Sequence, residues 1–154
     1  MANTYTQIYI QIVFAVQGRQ SLIPSVRNDE LQKYITGIVT HQGQKLIAIN
    51  NMADHMHLLI GLKPSIALSD LVRDIKASSS AFINGQRWVA GRFSWQEGFG
   101  AFSYGQSQLG AVIRYIENQQ QHHRRHTFAG EYEKLLERFK VPHDQRYVFE
   151  AVVD

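Results

Sequence analysis

The chain contains no cysteine. That excludes disulfides, thiolate nucleophiles and cysteine-ligated zinc together. Any metal site must be built from histidine, carboxylate or amide groups. No apolar run is long enough to cross a bilayer. The N-terminus lacks the basic-then-apolar layout of a secretory signal, so the expected compartment is cytoplasmic. There are no internal repeats and no low-complexity linker. What is present, 154 residues with 44% hydrophobic and 19% charged side chains, is the composition of an ordinary globular domain with one real core. The net charge of +3 is compatible with a polyanionic partner without demanding one.

Periodicity supplies the elements. Residues 4–16 alternate, with Ile8, Ile10, Ile12, Phe14 and Val16 on one face and Gln7, Tyr9 and Gln11 on the other, which predicts a long half-buried strand. Leu31, Tyr34, Ile35, Ile38 and Val39 recur at helical spacing within 27–42, and Gly43 is a plausible stop. A short strand over 45–49 and a tight turn lead into Asp54-His55-Met56-His57-Leu58-Leu59-Ile60-Gly61-Leu62, which reads as the second arm of an antiparallel hairpin. Ser69 is a candidate N-cap for a second helix that carries Leu71, Val72, Ile75, Ser79, Phe82 and Ile83. The aromatic, glycine-rich stretch 93–104 reads as a strand kinked at Gly98 and Gly100. A third helix is predicted over about 107–125, a break at 127–130, a short helix over 131–140, and a tail at 145–153 with some strand character. The order of strand, helix, strand, strand, helix, strand predicts an α+β, ferredoxin-like four-stranded antiparallel sheet with two helices on one face.

Two constellations carry chemistry. On the strand 55–62, Met56, Leu58, Ile60 and Leu62 share a fully apolar face, while His55 and His57 share the other. Two imidazoles two residues apart on a strand can reach one metal ion; taken singly, such a pair is better explained by solvated or cross-strand paired histidines. On the third helix, Tyr115, Gln119 and His122 form a row on one flank of the apolar stripe Leu109, Val112, Ile113 and Ile116. A phenol, with an unperturbed pKa of about 10, is a poor nucleophile at neutral pH and needs help to attack phosphorus. A divalent cation gives that help, and two histidines with one amide oxygen leave positions open for substrate, a pattern suited to Mg²⁺ or Mn²⁺.

With these pieces in view, the sequence closely resembles the single-tyrosine, His-hydrophobic-His transposases of the IS200/IS605 type and the related transposase-like proteins associated with repeated palindromes. The matching blocks are Asp54-His55-Met56-His57-Leu58-Leu59, then Trp95-Gln96-Glu97-Gly98-Phe99-Gly100-Ala101-Phe102-Ser103, then Tyr115-Ile116-Glu117-Asn118-Gln119 followed by His122-His123. The resemblance extends from Thr4 to about Tyr147. It implies a single domain over 1–154, with a core over about 4–126 and a C-terminal helix and tail over about 127–154. It implies Tyr115 as the nucleophile, and His55, His57 and Gln119 as ligands of a divalent metal, Mg²⁺ or Mn²⁺. Members of the family cut single-stranded DNA at element ends, form a 5′-phosphotyrosine link and free a 3′-OH; strand transfer reverses the step. They recognise imperfect hairpins. They are commonly homodimers in which the tyrosine helix of one subunit serves the histidine pair of the other.

Candidate phosphate contacts are Lys45, Arg73, Lys76, Arg87, Arg92, Arg114, Arg124 and Arg125. Trp88, Phe93 and Trp95 could stack on unpaired bases, with core packing expected for at least two of the three. Tyr104 is a rival nucleophile in principle, but no amide or histidine follows it one turn later. Two other functions compete. A metal-dependent hydrolase would recruit His122 and His126, spaced i, i+4, to a histidine-rich centre and use water as the nucleophile. A non-catalytic module would use the open sheet face as a nucleic-acid platform.

Overall fold

The computed structural model describes residues 3–143. Four strands, β1 (Tyr9–Ala15), β2 (Lys45–Asn51), β3 (His55–Gly61) and β4 (Gly100–Tyr104), form one sheet in the order β2-β3-β1-β4. Every neighbouring pair is antiparallel. Helices α1 (Asn28–His41) and α2 (Leu68–Gln86) provide the two crossovers. This is the ferredoxin-like arrangement that the element order predicts.

The alternation along β1 and β3 splits the chain into two cores. Ile12, Phe14, Met56, Leu58 and Ile60 pack under α1 and α2, against Leu31, Ile35, Val39, Leu71, Ile75 and Ile83. Phe93 and Trp95 belong to this core, so two of the three aromatic candidates for base stacking are packing residues. Trp95 donates its indole N–H to Ser79 Oγ at 2.9 Å.

The second face is not open. Helices α3 (Leu109–Glu117), α4 (Gln119–His122) and α5 (Phe128–Arg138) follow the last strand. Val112, Ile116, Phe128, Leu135 and Leu136 close over Val13, Ala15, Leu59 and Phe102 in a second core. A bare sheet platform for nucleic acid is therefore excluded, because helices already cover both faces.

Several boundaries differ from the sequence reading. β1 begins at Tyr9 rather than Thr4, since its partner β3 ends opposite it at Gly61; upstream, Tyr5 is exposed. α2 starts at Leu68 with Ala67 in the capping position and no side-chain cap, so Ser69 lies inside the helix. The strand expected over 93–104 is confined to Gly100–Tyr104, with only an isolated bridge between Val16 and Trp95 before it. The kink does fall at Gly98, whose φ of +82° lies in the left-handed region that favours glycine. Gly100 is needed for a different reason: a Cβ there would stand 2.6 Å from the Tyr132 ring. The last helix starts at Phe128, because Thr127 accepts the Gly130 N–H at 3.2 Å and caps it. The tail at 145–153 lies outside the described residues.

The helix expected over 107–125 is broken. Its first turn, Gln106–Gln108, is 3-10, and helical geometry is lost at Asn118, with φ −95° and ψ +19°. The cause comes from β2. Asn50 Nδ2 donates to the carbonyls of Ile116 at 2.8 Å and Glu117 at 3.2 Å, capturing acceptors that an unbroken helix would use itself. Asn50 and Gln120 also pair amide to amide, at 2.9 Å in both directions.

Candidate active site

Strand β3 sets the histidines. His55 lies opposite Ala15 and His57 opposite Val13 on β1, and both are fully buried on the α3–α5 face. Gln11 stands diagonally across from His57 and donates from Nε2 to His57 Nδ1 at 3.0 Å. Its Oε1 accepts from the Tyr104 hydroxyl at 2.7 Å. Tyr104 is thus occupied in holding Gln11. His55 Nδ1 lies 2.7 Å from Asp54 Oδ1, so Asp54, just before β3, orients a ring.

Helices α3 and α4 bring the remaining two expected residues to the same place. Gln119 is fully buried, with Oε1 3.2 Å from His55 Nε2. Its Nε2 donates to the Tyr115 carbonyl at 3.4 Å. The Tyr115 ring lies edge-on to His57, with centroids 5.9 Å apart. Tyr115, His55, His57 and Gln119 therefore meet within one copy of the chain.

At the centre of this group is a residue that sequence reasoning missed. Glu131, in the first turn of α5, is buried, and its side chain converges on the whole cluster. Oε1 accepts from His57 Nε2 at 2.9 Å and from His123 Nε2 at 3.1 Å. Oε2 accepts from Gln119 Nε2 at 3.1 Å and from the Tyr115 hydroxyl. His55 Nε2 is 3.5 Å from Oε1 and His122 Nε2 is 3.3 Å from Oε2. The signal was in the periodicity: Phe128, Glu131 and Leu135 share one face of α5, so the glutamate interrupts an apolar stripe. His123 was missed beside it, one turn after Gln119. His126 does not enter the cluster. Its ring stacks on His122, with centroids 4.7 Å apart, and its carbonyl lies 2.8 Å from His123 Nδ1. The His122–His126 pair proposed for a hydrolase is therefore not the pair that joins His55 and His57; His123 takes that place.

Charge follows from this geometry. Burial alone would raise the Glu131 pKa, but hydrogen bonds from His123, His57 and Tyr115 outweigh it and hold the carboxyl well below its ordinary value. Burial, then the adjacent Glu131 charge, pushes the Tyr115 phenol well above its ordinary value. Burial lowers the pKa of His57. For His123 burial also works downward, yet contact with Glu131 prevails and the net shift is upward.

The donor set fits a divalent cation. Ligand atoms of His55, His57, His123 and Glu131 all lie within 4.8 Å of one another. Gln119 adds an amide oxygen 3.2 Å from His55 Nε2, the ring nitrogen left facing the cluster while Nδ1 contacts Asp54.

The proposed phosphate contacts do not form one patch. Arg73 pairs with Asp70 and Asp74, and Lys76 donates to the carbonyls of Gln96 and Gly98. Lys45 is exposed at the start of edge strand β2, Arg87 and Arg92 are exposed beyond the end of α2, and Arg114, Arg124 and Arg125 are exposed around α3 and α4. No helix among the described residues is long and apolar enough to cross a membrane.

Known proteins are similar to this chain in sequence and in fold. The family model "Transposase IS200 like" matches residues 4–119. The ISDra2 transposase TnpA of Deinococcus radiodurans is 23% identical over 118 residues, covering 73% of this chain and 84% of its own. A crystal structure of a Deinococcus radiodurans R1 protein described as a transposase superposes with a TM-score of 0.57 at 25% identity, over 77% of this chain and 96% of that one. The REP-associated tyrosine transposase bound to a REP hairpin shares the fold, with a TM-score of 0.61 at 15% identity over 100% of this chain and 93% of that one. The match to the family model spans most of the described fold, from before β1 to Gln119: the chain belongs to the IS200-like transposase family.

Proposed function

We propose that this transposase cleaves and rejoins single-stranded DNA through Tyr115, forming a 5′-phosphotyrosine intermediate. The observation that carries the reading is the convergence of the Tyr115 hydroxyl, His57 and Gln119 on the single buried carboxylate of Glu131. His55, His57 and Gln119 are the proposed holders of a divalent cation, Mg²⁺ or Mn²⁺, with Glu131 and His123 close enough to complete its surroundings. When bound, the cation supplies the positive charge that lets an anionic phosphate share this space with Glu131.

The chain's own residues do the rest. The phenol oxygen of Tyr115 attacks phosphorus, and its proton passes to Glu131 Oε2, which already accepts its hydrogen bond. The bond from phosphorus to the 3′ oxygen breaks, and that oxygen leaves as a 3′-OH after taking up a proton. Rejoining runs the same steps backwards with another 3′-OH as attacker. In the arrangement described here the phenol is held protonated and the carboxylate is a weak base, so the pair is at rest until a phosphate enters. Gln11 steadies His57 throughout, because either end of its amide can face Nδ1 and match either tautomer of the ring.

Single-stranded DNA with hairpin ends is the proposed substrate. The REP-associated relative was solved on a hairpin, and the positive net charge of this chain is consistent with such a partner. For the homodimer common in the family, the packing favours a site completed within each copy, since Asn50 ties α3 to β2 of its own chain.

The test is a labelled single-stranded hairpin oligonucleotide, taken from sequence flanking the gene, incubated with Mn²⁺. The expected product is a labelled protein band that survives denaturation and is absent from Tyr115→Phe. A Tyr115→Phe protein that cuts as well as wild type would favour water as nucleophile and overturn the reading.

A further inference from the structure

A cavity of about 770 Å³ lies between α3 and α5. Its floor includes Tyr115 and Glu131, and Val112, Ala111 and Leu135 give it an apolar wall. Arg125, Lys134 and Arg138 also line it. These three side chains are exposed, and none forms an ion pair among the described residues. Among the described residues, the only carboxylate in the lining is Glu131, which is already committed to imidazoles and the phenol. Cavities that hold small organic molecules run to about 300–1,000 Å³, so this one has room for a nucleotide unit.

From this combination we propose that the α3–α5 cavity is a binding cleft for the unpaired DNA strand next to the scissile phosphate. An apolar wall suits the flat face of a base, and rim cations with no ion-pair partner among the described residues, Arg138 lying over the Phe139 ring, suit its phosphates. A strand seated there runs past the Tyr115 hydroxyl at the cavity floor. The cleft takes an unpaired nucleotide and not a hairpin stem, because a duplex is far wider than the space between two packed helices. Of the eight basic residues picked out by sequence, only Arg125 belongs to this cleft; Lys134 and Arg138 are new. The inference rests on the single-strand cleavage reading and names where that strand lies.

The experiment measures binding alone, on the full chain in a Tyr115→Phe background so that no cleavage occurs. The probe is fluorescein-labelled (dT)12, followed by anisotropy across a salt series. Lys134→Ala with Arg138→Ala is expected to weaken (dT)12 binding about tenfold. The slope of log affinity against log salt should become shallower by roughly 1.4, at about 0.7 per phosphate contact for single strands. Ala111→Trp, which fills the cavity from the exposed side of α3, should weaken binding with little change in slope. Lys33→Ala, an exposed cation on α1 under the opposite sheet face, should leave binding within twofold. Unchanged affinity and slope in the Lys134/Arg138 pair, or an equal loss in Lys33→Ala, would overturn the proposal. The cleavage reading is read separately, by the covalent adduct of the wild-type protein: adduct without cleft effects sinks only the cleft, and cleft effects without adduct sink only the phosphotyrosine chemistry.

Discussion

Asn50→Ala is the substitution whose effect is best worked from the structure. Asn50 is buried and donates to the carbonyls of Ile116 and Glu117 and to Gln120 Oε1, at 2.8, 3.2 and 2.9 Å. Its Oδ1 accepts from Gln120 Nε2 and from the Asn51 N–H, both at 2.9 Å. Alanine removes all of these and leaves the end of α3 without its tether to β2. A neutral buried hydrogen bond contributes about 1 kcal/mol net, and an orphaned buried partner costs somewhat more. Discounting the pair with Gln120, which is exposed, the loss is about 2–4 kcal/mol. For a chain of this length that is a Tm drop of roughly 5–12 °C. Gln120→Ala is the control: it deletes the amide pair and a long 3.4 Å donation to the Asn51 carbonyl, and should shift Tm by no more than about 3 °C. Differential scanning calorimetry of both variants and wild type reads the shifts. Because Asn50 anchors the segment that carries Tyr115, the adduct assay should also show slower covalent capture in Asn50→Ala. An Asn50→Ala protein melting within about 2 °C of wild type would refute the claim that this side chain fixes the helix break.

Mixing Tyr115→Phe with His57→Ala should restore no adduct if each copy completes its own site; recovered labelling would mean that the phenol works across a dimer. Adding Mn²⁺ at about 100 times its Kd should stabilise wild type by about 2.7 kcal/mol, and His55→Ala should lose most of that shift in a thermal scan with and without EDTA. Glu131 has its carboxyl pKa depressed by folding, so its contribution is full above the ordinary carboxylate pKa and disappears as pH falls through the folded value. The metal-free wild type should therefore melt above Glu131→Gln at pH 7, and the gap should shrink steadily below about pH 4.5; a gap independent of pH contradicts the assignment. Gly100→Ala puts a methyl into the Tyr132 ring and should cost about 1–3 kcal/mol by overpacking, with Tyr132→Ala in the same chain recovering part of it in urea denaturation.

What the sequence made legible follows the reach of each signal. The face of His55 and His57 was readable because strand alternation is local and strict, and Met56, Leu58 and Ile60 had to lie opposite them. Tyr115 and Gln119 were readable as neighbours because one turn separates them, and that proximity survives the break. The break itself was not readable, since its cause is an asparagine 66 residues away. Residues 127–130 read in the sequence as a helix break, although Thr127 and Gly130 make the N-cap of α5. Glu131 escaped notice because a glutamate in a helix is solvated by default; only the apolar residues on either side of it along α5 mark it as buried. The sequence leaves the second sheet face to a ligand, a partner or the third helix, because nothing local in Val13, Ala15 or Leu59 says which of them covers it.

The interruption at Asn118 has a mechanical consequence. It ends α3 at Glu117 and starts a new short helix at Gln119, so Tyr115 and Gln119 stand on separate helices. Asn50 bonds the last carbonyls of α3 and the Gln120 amide of α4, so one side chain of β2 sets the spacing between the two. If Tyr115 and Gln119 act as proposed, that spacing is inherited from the sheet and not from a continuous helix.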